Sequence, residues 1–131
     1  MQTIATGKIR PGDTETLKAL IEDSLDADKA VEIVEIDLRG KTSIADFMII
    51  ASGQSHRQVG AMTDHIRRRL KDAGVRGVSV EGEGHCDWVL IDAGDVLVHL
   101  FRPEVRDFYK LEKLWGDAAA PNMGQTGSAA R

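Results

Sequence analysis

The chain is short of several features that would by themselves decide its class. It has one cysteine, Cys86, so no disulfide can form within it, and a lone thiol fits a reducing compartment. It has no long apolar run. The longest, near Phe47–Ala51 and Trp88–Ile91, fall far short of the roughly 20 residues a membrane helix needs. The opening MQTIATGKIRPGD has no apolar stretch of the signal-peptide kind. These absences predict a cytoplasmic protein with no membrane partner. There is no basic excess either: the net charge is -4 and the pI ≈ 5.5, whereas a bare nucleic-acid binder usually has a pI above about 9. Direct, sequence-specific binding of nucleic acid is therefore not expected. No repeat occurs at a solenoid period.

What is present suits one α/β domain. The 131 residues are 42% hydrophobic, enough for a core without a metal or disulfide staple. Asp13 or Thr14 can cap a helix over 14–28, with Leu17, Leu20, Ile21 and Leu25 on one face. The run VEIVEIDL, 31–38, reads as a strand whose alternation breaks once before Ile36. DFMIIAS, 46–52, is continuously apolar, as an interior strand buried on both faces would be. Ser55 and Gln58 have capping-box spacing ahead of the stripe Val59, Met62, Ile66 and Leu70. Gly74 falls where a left-handed cap ends such a helix. A short strand is predicted at 77–81. Strands at 88–91 and 96–101, joined by Asp92-Ala93-Gly94-Asp95, form a predicted hairpin. Pro103 suits the first turn of a last helix carrying Val105, Phe108, Tyr109, Leu111, Leu114 and Trp115. The termini, 1–13 and 117–131, carry little apolar material and are expected to be flexible. The order α-β-β-α-β-β-β-α predicts a five-stranded mixed sheet flanked by helices.

Catalytic signals are weak. Ser52-Gly53-Gln54-Ser55 lies between a strand and a helix, where an anion can bind, but it matches neither common phosphate-loop pattern. Glu81 and Glu83 have the i, i+2 spacing of a carboxylate pair that could share a divalent cation. Gly82 and Gly84 flank Glu83, which suits a loop better than a rigid strand. Glu35 and Asp37 repeat the spacing as polar positions alternating along a strand. His85 and Cys86, adjacent on an extended chain, would point apart, so neither activates the other. His56, His65, His85 and His99 show no zinc spacing with the single cysteine. No catalytic residue, metal site or cofactor is predicted.

Charge is unevenly spread. Residues 56–80 hold six basic side chains against Asp64 and Asp72, and residues 81–107 hold seven acids against Arg102 and Arg106. These runs either solvate a surface or mark a basic partner, of which ribosomal proteins are an abundant class. Trp88, Tyr109 and Trp115 sit close to the acids. Trp and Tyr beside charge are the material of interface hot spots and equally of ordinary cores. Trp115 ends an apolar stripe and reads as core, while Trp88 stays open between the two.

The blocks DFMIIASGQSHRQV, EGEGHCDWVLIDAGDVLVHLF and FYKLEKLW, in that order, resemble the ribosomal silencing factor family, also called Iojap. The resemblance spans about residues 14–116. It implies a domain similar in fold to nucleotidyltransferases without their catalysis. It also implies binding to the large ribosomal subunit through ribosomal protein L-fourteen, which blocks subunit joining and represses translation. The expected partner surface is Glu81, Asp87, Trp88, Glu104 and Tyr109. The competing expectations are a metal-dependent nucleotidyltransferase using Ser52-Gly53 with Glu81 and Glu83, and a homodimer joined by sheet edges. The basic run Arg67–Lys71 matches no role implied by the resemblance.

Overall fold

A computed structural model describes residues 8–10 and 12–103. The helix expected from Pro103 onward, with Glu104, Tyr109 and Trp115, lies outside them except for Pro103 itself.

Helix α1, Thr14–Ala27, starts at Asp13, whose carboxylate accepts from the Thr16 N–H at 3.2 Å. Leu17, Ile21 and Leu25 form its buried stripe. Strand β1, Val31–Asp37, follows with one irregularity. Val31 pairs with Ser52, but Val34 pairs with Ile50, so β1 spends one residue more than β2, Phe47–Ser52, over the same span. Glu32 sits there with φ 50°. This bulge is the break in the alternation: it turns Ile33 toward the helices and leaves Val34 and Ile36 on the other face. All six residues of β2 are buried.

Helix α2, His56–Asp72, is capped at Ser55, whose hydroxyl accepts from the Gln58 N–H at 3.1 Å. The return bond differs from the capping-box expectation. Gln58 Oε1 accepts from the Gln54 N–H at 2.7 Å, and its amide nitrogen donates to the carbonyls of Asp28 and Lys29. Gln58 thereby ties the start of α2 to the end of α1, a tie reinforced by His65 Nδ1 on Asp28 at 2.7 Å. Gly74, with φ 81°, ends α2: its N–H reaches Lys71 O and the Val75 N–H reaches Leu70 O, the two bonds of a Schellman cap. The Ile9 N–H donates to Ala73 O, which ties residue 9 to that end of α2.

Strands β3, Ser79–Glu81, β4, Trp88–Asp92, and β5, Val96–Phe101, complete a mixed sheet of order β1-β2-β5-β4-β3. The β2–β5 pair is parallel, and β1–β2, β4–β5 and β3–β4 are antiparallel. The β4–β5 hairpin turns at Gly94, φ 91°, whose N–H is accepted by the Asp92 carboxylate. Helices α1 and α2 lie on one face, over Phe47, Ile49, Val89, Ile91, Val98 and Leu100. The other face carries Ile36, Met48, Ile50 and Phe101, with Trp88 and Leu97 packed against them.

Candidate functional site

Alternation along the strands decides what the second face presents. Trp88 pairs with Phe101, Leu90 with His99, and Glu81 with Leu90. Directly paired residues share a face, as do residues two apart. Glu81, Trp88, His99 and Phe101 therefore all lie on the face away from the helices. Glu81, on the edge strand, is exposed. Trp88 is half-buried, with its ring 5.1 Å from that of Phe101. Its indole N–H donates to His99 Nδ1 at 2.9 Å. Indole is a donor only, so Nδ1 of the neutral imidazole is bare and the proton sits on Nε2. Burial pushes the His99 pKa down to about 4. The indole N–H aimed at Nδ1 opposes protonation further, since it would meet a second N–H. His99 is thus a buried hydrogen-bonding residue, and Trp88 is both packed and partly open.

Asp87 stands one residue before Trp88, where three segments meet. Its Oδ1 accepts from His56 Nε2 at 2.8 Å and from Arg102 Nε at 2.9 Å, and its carbonyl accepts from the Arg102 N–H. The bonds from His56, then from Arg102, hold its carboxyl below the usual range. Asp87 ties the first turn of α2 to the outer ends of β4 and β5. The sequence offered His56 no partner, because a contact across 31 residues leaves no local signal. Of the five expected surface residues, Glu81, Asp87 and Trp88 lie near the outer end of β4, and Glu104 and Tyr109 lie outside the described residues.

The positions that would serve a nucleotidyl transfer are occupied otherwise. The Gly53 N–H donates to Phe101 O at 2.9 Å, and that of Gln54 to Gln58. A Cβ on Gly53 would come within 2.9 Å of both Met62 Cε and Val59 Cγ2, so packing of the β2–α2 turn on the helix explains this glycine. A cradle for phosphate needs free N–H groups pointing outward, and these two are spent. Glu83, past the end of β3, is engaged by Arg67 and does not pair with Glu81. Glu35 is held by Lys18, and Asp37 by Arg39. Among the described residues, no three His, Cys, Asp or Glu side chains converge as a metal site. Cys86, at φ 58°, donates its thiol to Glu83 O. Burial, then the neighbouring carboxylates, raises its pKa, which makes it a poor nucleophile. No described helix is long and apolar enough to cross a membrane.

Among the described residues, architecture and site together define a class: an α/β domain with two helices on one face of a five-stranded mixed sheet, and a strand-to-helix turn committed to packing. Comparison with known proteins narrows the class. The family model described as ribosomal silencing factor during starvation matches residues 11–130. A protein named ribosomal silencing factor from Zymomonas mobilis is 56% identical over 104 residues, covering 79% of this chain and 78% of that one. A crystal structure from Chromobacterium violaceum superposes with a TM-score of 0.75 at 42% identity, covering 78% of this chain and 85% of that one. A more distant mouse relative, 30% identical over 122 residues and spanned for 54% of its length, is named mitochondrial assembly of ribosomal large subunit protein 1. The chain belongs to the ribosomal silencing factor family.

Proposed function

We propose that this protein binds the large ribosomal subunit in the cytoplasm, through ribosomal protein L-fourteen, and represses translation by keeping the small subunit from joining. Family membership carries the reading, and the name of the mouse relative agrees with a large-subunit partner. The contact is the outer end of β4. Glu81 supplies exposed negative charge on the sheet face that also holds the half-buried Trp88 ring, with Asp87 between β4 and α2. Glu104 and Tyr109, outside the described residues, are assigned to the same contact. Carboxylates there steer a basic partner and fix its register, and the indole supplies desolvated contact. Blocking needs bulk placed on a surface and no chemistry. In this reading the protein is not an enzyme, in keeping with the spent N–H groups of Gly53 and Gln54.

The test is a sucrose gradient of separated subunits mixed with excess protein. The joined-ribosome peak should fall, and an unchanged peak would sink the proposal. Glu81→Lys maps the contact cleanly because Glu81 is exposed. Surface substitutions usually move stability by less than about 0.5 kcal/mol. Subunit affinity should nonetheless drop about tenfold, or about 1.4 kcal/mol. Retained affinity in Glu81→Lys would move the contact away from β3 and β4.

A further inference from the structure

The basic run that the family resemblance left without a role forms a surface of its own. Arg57, Arg68 and Lys71 lie at i, i+11 and i+14 on α2, within about 60° of one another on the wheel at 3.6 residues per turn. That line is opposite the buried stripe of Val59, Met62, Ile66 and Leu70. Arg69 stands about 100° round the wheel from Arg68, on the flank beside the buried stripe, and Arg76 lies just past the cap. All five side chains are exposed, and none is ion-paired among the described residues, whereas Arg67 is held by Glu83 and Asp64. Two acids interrupt the patch. Asp64 lies 3.9 Å from Arg67, and Asp72 sits at the end of the helix.

Helix electrostatics explain only part of this. Cations in the last turn, here Arg69 and Lys71, complement the helix dipole. Arg57 stands in the first turn, where the dipole disfavours a cation, and no acid occupies that turn to offset it. Arg68 extends the row on the outer face, and Arg76 lies outside the helix. The outer face and its continuation past the cap hold three arginines, Arg57, Arg68 and Arg76, to one lysine, and the guanidinium fork matches phosphate oxygens two at a time.

We propose that this face of α2 is a second contact, which binds the phosphate backbone of folded RNA without reading its sequence. The inference rests on the ribosome-binding reading, in which such RNA lies beside the protein partner. With a net charge of -4 the protein as a whole repels RNA, so the contact is weak alone. It becomes effective once the acidic end of β4 has docked, because the second binding event is then intramolecular. The opposite charges of the two surfaces would also orient the protein on its target.

The experiment measures anisotropy of a short fluorescein-labelled RNA duplex with the wild type and with Arg57→Gln/Arg68→Gln/Lys71→Gln. Three phosphate contacts predict a roughly fortyfold loss of affinity between about 50 and 200 mM salt. The triple variant should bind at least about tenfold more weakly with a nearly flat salt response, and Glu81→Lys should bind as well as the wild type or better. Arg68→Gln alone, expected to lower the salt slope by about one, serves if the triple variant does not fold. Failure of the wild type to bind the duplex at low salt, or equal binding by the triple variant, overturns the proposal. So does equal affinity for polyglutamate, or tighter binding to phosphatidylglycerol vesicles. Co-sedimentation of the same proteins with large subunits separates the two readings: a wild type that binds duplex but not subunits overturns the ribosome reading and leaves the RNA contact standing.

Discussion

The two faces of the sheet are built on different terms. The face under α1 and α2 is apolar from β2 to β3, its central residues fully buried and interleaved with the stripes of two helices, and it carries charge only at the edge strand β1, through Glu35 and Asp37. The opposite face mixes Ile36, Met48, Ile50 and Phe101 with a histidine, an indole and, at the edge strand, a carboxylate. The first face has one use, which is to hold the fold. The second stabilises the fold less uniformly and carries every described residue of the expected partner surface at or beside its outer end. A contact surface needs groups that still have something to offer a partner, and a sealed core has none.

The difference is sharpest for Ile66→Ala. Ile66 is fully buried between α2 and the sheet, and truncation there should cost about 4 kcal/mol through lost transfer energy and a cavity. Urea unfolding should record the loss, while ribosome binding per folded molecule stays at the wild-type level. A specific loss of binding at unchanged stability would mean that the helix face is part of the contact.

The second face should instead respond to pH. His99 is neutral when folded, with a pKa near 4 against an ordinary value of 6.5. Below pH 6.5 the unfolded chain takes up a proton that the folded one refuses. Stability is therefore full above about pH 6.5, falls as the pH drops toward 4, and levels off below that. The fall attributable to His99 is about 3 kcal/mol at most. Across this window the melting temperature should respond more steeply to acid in the wild type than in His99→Gln, which keeps an acceptor for the indole, since the opposing contribution of Glu22, whose pKa burial pushes up to about 7, is common to both. An equally steep fall in both proteins would assign the acid sensitivity elsewhere.

Gly53 tests whether the β2–α2 turn belongs to the packed side. Gly53→Ala brings a methyl within 2.9 Å of the Met62 and Val59 side chains, so a cost of about 2 kcal/mol is expected from overpacking. Met62 Cε is the end of a flexible side chain and will absorb part of it. A neutral substitution would show that the turn has room, and would reopen the possibility that its glycine serves a ligand.

Most of the fold was legible because it is local. The stripe of α2, the cap at Ser55, the left-handed Gly74, the doubly buried β2 and the Asp92–Asp95 turn each write their geometry into neighbouring residues. The bulge at Glu32 was visible only as a break in alternation, because a bulge changes phase without requiring any one residue type. The candidate site was less legible. Trp88 stayed open between core and surface because that depends on His99 and Phe101 across the hairpin. The His56–Asp87–Arg102 junction joins residues far apart in sequence, and no spacing rule reaches that far. Gly53 looked like a ligand-binding glycine, since tight packing and phosphate binding both select the same residue at a strand-to-helix turn.

The smallest expected effect probes the junction between the roles of Trp88. Trp88→Phe keeps an aromatic ring over Phe101 but removes the N–H that reaches His99 Nδ1. The buried acceptor is left without its donor, which costs about 1 kcal/mol. A second consequence follows from the proton's position. With the indole gone, nothing holds Nδ1 bare, and protonating His99 no longer sets two N–H groups against each other. Its pKa should rise relative to the wild type, while burial, the cause of its low value, still holds it well below 6.5. An NMR titration of the His99 ring in both proteins measures this directly, and the acid-side loss of stability should shrink in parallel. If the pKa does not move, burial alone sets it and the indole bond is incidental. Binding to large subunits gives the complementary reading. Phe retains the apolar contact, so an affinity within a fewfold of wild type would mean the ring is what the partner meets. A tenfold loss, about 1.4 kcal/mol, would mean that the partner depends on the indole itself. The open face would then be a recognition surface with a fixed polar geometry, set apart from the helix face by more than incomplete burial.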